Sequence, residues 1–310
     1  MASRPGSRVP TPPASLPTVH LARDHVRQDV AARLVSQEWR RAGRGAYVSA
    51  AVVADVRAVA LARIIGVHHQ LRAAHVFSHV SAAVLWGLPL WSVAAEVHVY
   101  QASRPGSRRD ASVRRHVGAL DAAMVSAVAG LPVTTLARTA VDCARSMTPL
   151  AGLVVMDGAL RAGIGRDELV RVSQLDPAGR GMARAREVIG LGDAGAESPQ
   201  ESALRFVVLR AGLPRPDAQV PIETRLGTFW GDVGWARWRT VLEYDGRLKY
   251  TSNEALVQEK RRHDALVEAG WRVLRVTTED LRTTGALITR IRQLLPPDIS
   301  PICRPHLNFR

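Results

Sequence analysis

The stretch Phe229-Trp-Gly-Asp-Val-Gly-Trp235, followed after a short gap by Thr240-Val-Leu-Glu-Tyr-Asp245, decides how the C-terminal third of this 310-residue chain is read. Both segments are short and rich in β-branched or aromatic residues, which fits strands better than helices. Ala218 to Glu223 reads as the hairpin partner of Phe229 to Trp235, with the turn near Gly227. Asp232 interrupts an otherwise apolar strand. Glu243 and Asp245 lie two residues apart, so on a strand they project from one face. Pairing of these strands would bring three carboxylates together at one sheet edge. Like charges that close cannot all stay ionised without a cation, and oxygen-only ligands favour Mg2+ or Mn2+ over zinc.

The flanking segments extend the pattern. Ser198-Pro-Gln-Glu201 reads as a capping box with proline at the first helical position, opening a helix to about Ala211. Asn253 to Ala269 is helical by periodicity, Trp271 to Thr277 is a strand, and a last helix follows Asp280. Leu256, Val257, Leu266 and Val267 define the expected buried face of the Asn253 helix. Lys260, His263 and Asp264 fall within the same arc and would cover the acids. Arginine outnumbers lysine forty to two, and Lys249 and Lys260 both lie in this region. Trp230, Trp235, Trp238 and Trp271 are assigned mostly to the core.

This αβββαβ order, with Asp232 and then Glu243-x-Asp245, resembles the PD-(D/E)xK nuclease superfamily. The strings VLEYDGRLKY (241–250) and EKRRHDALVEAGWRVLRVTTEDL (259–281) are similar to its uncharacterised branch related to very-short-patch-repair endonucleases, over residues 197–295. The resemblance implies a restriction-endonuclease-like domain hydrolysing phosphodiester bonds with Mg2+ or Mn2+. It makes Asp232 and Glu243 metal ligands and Asp245 a further ligand or water-positioning group. Glu201 would be the helix acid, although capping explains it equally well. The superfamily's lysine normally stands two residues after the glutamate, where this chain has Asp245. Lys249 or Lys260 would then replace it, or the site is inert.

Asp29 to Ser36 can form a short helix with Val30, Leu34 and Val35 inward, and Gln37 to Val48 reads as two strands around a Gly43/Gly45 turn. Arg40, Arg41 and Arg44 are splayed along that hairpin. A helix followed by an arginine-tipped hairpin suits a winged helix, whose helix enters the major groove while the wing touches phosphate. The string RLVSQEWRRAGRGAYV (33–48) resembles the N-terminal winged-helix domain of the abortive-infection type IV antitoxin family. That resemblance implies a DNA-binding, autorepressing module, and a cognate toxin as partner. Family members carry a fuller pair of helices before the wing; here only His20 to Gln28 is available.

Ser78 to Leu90 and Gly130 to Arg145 look like the middle domain that accompanies this winged helix. Residues 51–190 are Ala/Val/Leu-rich and mostly helical, with strands expected at Glu96 to Gln101 and Ser112 to Val117. Thr134 or Thr135 would cap a helix after Gly130-Leu-Pro132. His68, His69, His75 and His79 have no cysteine or carboxylate at ligand spacing, so they read as ordinary histidines. Gly163-Ile-Gly165 lacks a third glycine, and there is no phosphate loop or nucleophile elbow, so no nucleotide cofactor is expected.

The domain plan is therefore a disordered Pro/Ser/Arg tail (1–17), a degenerate winged helix (18–50), a middle α+β domain (51–190), a Gly/Ala linker (191–197), the nuclease-like domain (198–296) and a tail (297–310). A net charge of +14 points to a polyanion, DNA or RNA. The charge is concentrated, with eight basic and three acidic residues in 1–50. Two cysteines and no apolar leader segment suggest a cytoplasmic protein. No stretch is long and apolar enough for a membrane span. Two functions compete: a metal-dependent endonuclease, and a non-catalytic DNA-binding regulator or antitoxin.

Overall fold

The computed structural model describes residues 9–103, 110–246 and 253–307. Near the N-terminus, β1 (His20–Leu21), β2 (Trp39–Gly43) and β3 (Ala46–Ser49) form a sheet of order β1-β3-β2, with α1 (Arg27–Val35) inserted after β1. The β2–β3 hairpin turns at Arg44-Gly45, where Gly45 adopts φ +58°, a conformation glycine reaches without a Cβ clash. Of α1, only Val30 is buried, against Trp39 and Tyr47. Val35, expected to point inward, is 82% exposed. The segment before α1 supplies β1 and one 3-10 turn (Ala22–Asp24) instead of a pair of helices.

The next helix, α2 (Val56–Gln70), begins where the Asp55 carboxylate accepts the Arg57 N–H at 2.8 Å. One side of α2 carries the N-terminal sheet. Ala62 packs on Ala42 and Val48, and a Cβ at Gly66 would come within 2.6 Å of the Ala46 methyl. The other side, with Leu61, Ile64 and Ile65, enters the core of the middle domain. The hairpin module is thus seated on a helix of its neighbour.

That neighbour is organised by a five-stranded sheet, order β6-β5-β4-β8-β7, made of β4 (Val76–Phe77), β5 (Val97–Gln101), β6 (Val113–Val117), β7 (Val125–Val128) and β8 (Leu131–Thr134). The two strands expected from sequence are β5 and β6, and they pair in parallel. The other three are two to four residues long, too short for alternation to show. Gly130, with φ +77°, makes the β7–β8 turn, and the expected helix begins after β8. Helix α3 (His79–Leu85) packs on this sheet, and Thr135 caps α4 (Leu136–Ser146). With α5 (Pro149–Arg161), α6 (Arg166–Gln174) and α7 (Met182–Leu191), α4 forms a second, all-helical core.

The C-terminal unit follows the expected αβββαβ order. It contains α8 (Pro199–Arg210), β9 (Asp217–Thr224), β10 (Gly227–Trp235), β11 (Thr240–Tyr244), α9 (Asn253–Glu268), β12 (Arg272–Val276), α10 (Thr278–Arg282) and α11 (Thr284–Gln293). The sheet order is β12-β11-β10-β9; β11 and β12 are parallel and the other pairs antiparallel.

Three expectations about boundaries are corrected by packing. Segment 191–197 is pinned: Arg205 donates to the Leu191 carbonyl at 2.7 Å, and the Asp193 N–H donates to Asp157 at 2.8 Å. Helix α8 serves two cores, sending Leu204 and Val208 into its own domain and Phe206 and Leu209 into the helical core before it. The supposed tails also pack where they are described. Leu16 joins the middle core, and the Thr11 carbonyl lies over Gly87, where a Cβ would meet it at 1.8 Å. At the other end Leu307 is buried in the helical core, and Arg304 donates to the Leu209 and Leu213 carbonyls. Among the described residues, no helix is long and apolar enough to cross a membrane.

Candidate functional site

The acids singled out on the C-terminal strands share one cleft of about 630 Å³. Asp232, Glu243 and Asp245 line it together with Trp230, Glu259, Arg262 and Arg275. The strand period explains the convergence. Trp230 and Asp232 share a face of β10, Glu243 leaves β11 beside them, and Asp245 follows its end. The location differs from a sheet edge, because β10 and β11 are the two inner strands. Trp230 faces this cleft rather than the core; Trp235 is buried as expected.

Asp232 accepts the Tyr244 N–H at 2.8 Å, so its carboxylate ties the end of β11 to β10. Burial, with Glu201 and then Glu243 as negative neighbours, pushes its carboxyl up to about 7. Glu201 comes from the first turn of α8. The Ser198 hydroxyl accepts the Glu201 N–H at 3.1 Å, as an N-cap does, but the Glu201 carboxylate reaches back to the Glu197 N–H at 2.8 Å rather than to that of Ser198. It also accepts from the Gln219 amide at 3.2 Å. Gln219 has φ +51° and stands on β9 between the registered pairs Gly231↔Val220 and Val233↔Ala218, level with Asp232. A strained backbone thus aims an amide at the acidic cluster.

Glu243 is held by a guanidinium, not by a lysine. Arg262 donates to Glu243 Oε1 at 2.9 Å and Oε2 at 2.7 Å, a bidentate fork. It also contacts Glu259 at 3.0 Å, and Glu259 accepts from Arg275. Burial alone would lower the Arg262 guanidinium, but hydrogen bonds to Glu243 and Glu259 raise it and keep it charged. Arg275 stands opposite Glu243 in the β11–β12 register. The expected roof of Lys260, His263 and Asp264 is therefore corrected. Lys260 and Asp264 are exposed, His263 is half-buried, and Val257 and Val267 are 50% and 52% exposed. The buried face of α9 is phased by Ala265 and Leu266, which turns Arg262 toward the acids. Lys249 lies outside the described residues.

The Glu259–Arg262 spacing of three was the signal for this network in the sequence, because such pairs meet on a helix. As arranged, the acids do not make a divalent-cation cage. Both oxygens of Glu243 are taken, and no three of these carboxylates bring ligand oxygens within 4.8 Å of one another among the described residues.

On the N-terminal module, Arg41 and Arg44 are exposed along and at the tip of the β2–β3 hairpin. Arg40 is half-buried and donates to the Gln37 side chain at 2.8 Å. Arg33 stacks 5.0 Å from the Trp39 ring centre and pairs with Glu38, which braces α1 against the hairpin. Eight of the nine residues of α1 are not buried, so one long face is free.

Residues 69–191, from the end of α2 through α7, match the family of the AbiEi antitoxin C-terminal domain. Two uncharacterised proteins of Mycobacterium tuberculosis, MT2308 of strain CDC 1551 and Rv2248 of strain H37Rv, are each 31% identical over 218 residues, covering 69% of this chain and 79% of theirs. The chain belongs to their family. It is thus a member that carries an AbiEi antitoxin C-terminal domain. The resemblance read from Ser78 to Leu90 and Gly130 to Arg145 falls inside the matched region. The hairpin module and the C-terminal αβββαβ unit lie outside it. No solved structure matches the chain.

Proposed function

We propose that this protein is a DNA-binding regulator of the antitoxin type, with a cognate toxin as its protein partner. One observation carries the reading: an antitoxin domain, residues 69–191, is fused through α2 to a module that presents a nearly uncovered helix and an arginine-tipped hairpin. On DNA, α1 would enter the major groove through its free face, and Arg41 and Arg44 would meet phosphate. Gly66 keeps α2 close under the hairpin, so the arginines are presented from a rigid base. The net charge of +14 would steer the approach to the polyanion.

Replacing Arg41 and Arg44 together by alanine should lower the slope of log affinity against log salt by about two units, because each phosphate contact contributes close to one. Fluorescence anisotropy on a DNA duplex at several salt concentrations reads this directly. An unchanged slope would remove the hairpin from the DNA contact.

A second reading is favoured by the acidic cleft. Asp232 stands between Glu201 and Glu243 and holds its proton near neutrality, an arrangement a divalent cation would relieve. In this reading Mg2+ or Mn2+ supplies an activated water for phosphodiester hydrolysis. Asp232 and Asp245 would meet the ion, Arg262 would have to release Glu243, and Glu201 would remain the neighbouring acid on α8. Incubation with DNA or RNA and either metal, comparing wild type with Asp232→Asn and Glu243→Gln, tests it. Cleavage surviving both substitutions would refute this site, and regulation without cleavage is the outcome the antitoxin reading expects.

A further inference from the structure

We propose that His79, His98 and His116 of the antitoxin domain form a binding site for one Zn2+ ion. One ring nitrogen from each of the three lies within 4.8 Å of the other two. The residues are far apart in sequence and are gathered by topology. His98 and His116 sit on the parallel strands β5 and β6, two residues out of register, because His98 faces Arg114 and Tyr100 faces His116. His79 opens α3, which packs against β5.

His98 faces both other rings, its centre 5.4 Å from that of His79 and 5.3 Å from that of His116. His79 and His116 stack at 3.7 Å and 12°, so one of those two rings must turn before both can meet one ion. His116 Nε2 lies 3.2 Å from His98 Nδ1, close to the nitrogen separation of a tetrahedral zinc site. His98 is fixed to α3 on both sides. Its N–H donates to the Ser81 hydroxyl at 2.8 Å, and its carbonyl accepts the Ser78 N–H at 3.1 Å. Ser78 occupies the N-cap position of α3 but does not cap; its hydroxyl lies 3.0 Å from His79 Nδ1, leaving Nε2 of that ring for a metal. His79 itself adopts φ +52°, a strained conformation of the kind that persists where function over-determines it. On the far side of His98, the Glu96 carboxylate stands 4.0 Å from Nε2, beyond hydrogen-bond reach, and accepts from Arg114 at 2.9 Å.

The chemistry of the set selects the ion. Three imidazoles with no thiolate suit Zn2+, with Cu2+ and Ni2+ as competitors, and do not suit Mg2+ or Ca2+. His79 and His98 are buried and His116 is half-buried. Burial, with Arg114 beside it, pushes His98 down to about 4. Burial, with His98 beside it, does the same to His116. Burial lowers His79 in the same direction. The nearby arginines are already engaged: Arg114 with Glu96, Arg138 with Asp142, and Arg145 with Asp176.

The test is titration of the chelator-stripped full chain with ZnCl2 by calorimetry. One Zn2+ per chain is expected. His98→Ala and His116→Ala should each weaken it at least about 100-fold, and Ser78→Ala about 10-fold, since outer partners tune affinity by 10- to 100-fold. The double variant His68→Ala/His75→Ala removes the other close histidine pair, whose nitrogens lie 3.1 Å apart, and should leave binding unchanged. Should His98→Ala fail to fold, His116→Asn on the half-buried strand position and Co2+ absorption of the wild type decide the same question. Equal Zn2+ affinity of wild type and the His116 variants, or loss of binding only in the His68/His75 variant, would overturn the site.

Discussion

Replacing Arg205 with methionine is expected to lower the unfolding free energy by about 3–5 kcal/mol, the usual result of removing one partner from a buried ion pair. Arg205 is fully buried on α8 and donates to Asp157 at 2.7 Å and to the Leu191 carbonyl at 2.7 Å. Asp157 on α5 is equally buried and also accepts from Ser202 and from the Asp193 N–H. Burial raises the Asp157 carboxyl, and Arg205 pulls it back down. Without the guanidinium, the buried carboxylate would lose its hydrogen-bonded counter-charge, and burial would favour its protonated form. The same change cuts a buried polar tie between the antitoxin domain and the C-terminal unit, beside that of Arg215 to the Gly190 and Gly192 carbonyls. Urea denaturation should therefore show a lower midpoint and a separation into two transitions. The double variant Asp157→Leu/Arg205→Met should lose less than Arg205→Met alone, because neither charge is then left buried. A loss below about 1 kcal/mol for the single variant, in the range of surface pairs, would show that the pair does not join the domains.

The second large effect is a pH dependence centred on Asp232. Its carboxyl lies at about 7 in the folded protein, above the ordinary value of 3.8. The folded state therefore holds this proton more tightly than the unfolded state does. The resulting stability is fully present below about pH 4 and is lost as pH rises through 7; by pH 8 the loss amounts to about 4 kcal/mol at most. Asn at this position keeps an acceptor for the Tyr244 N–H but carries no charge. Asp232→Asn should therefore be the more stable protein at pH 8, by roughly 2–4 kcal/mol, and keep no more than about 1 kcal/mol of that advantage at pH 4.5. Urea titrations of both proteins across this range make the comparison. Parallel profiles would show that Asp232 is not held among Glu201 and Glu243 in solution. Millimolar Mg2+ adds a control: in the second reading it restores the wild type at pH 8 and leaves the Asn variant unmoved.

Both effects grow from features of unequal visibility in the sequence. Alternation in Phe229 to Trp235 and in Thr240 to Asp245 was enough to set Asp232 and Glu243 toward one cleft, because a strand repeats every two residues. The Ser198-Pro199 pair fixed the start of α8, and with it the position of Glu201. Glycines 43 and 45 marked the arginine hairpin. The phase of α9 was not legible. That helix carries charge around most of its circumference, so of the expected inner residues Leu266 is buried while Val257 and Val267 are half-exposed, and Ala265 takes a place on the inner face. Only the place of the sheet resolved it.

What the sequence by itself determined is therefore local: element types, the shared face of Asp232 and Glu243, the cap of α8 and the Arg44-Gly45 turn. These follow from backbone periodicity and from the conformations that serine, proline and glycine favour. Tertiary structure alone decided that Arg262 rather than Lys260 meets the acids, that α8 belongs to two cores, and that His79 joins His98 and His116 across intervals of about twenty residues. Each of those is a contact between distant segments. It depends on which side of an element is covered by another, and a one-dimensional spacing carries no record of that.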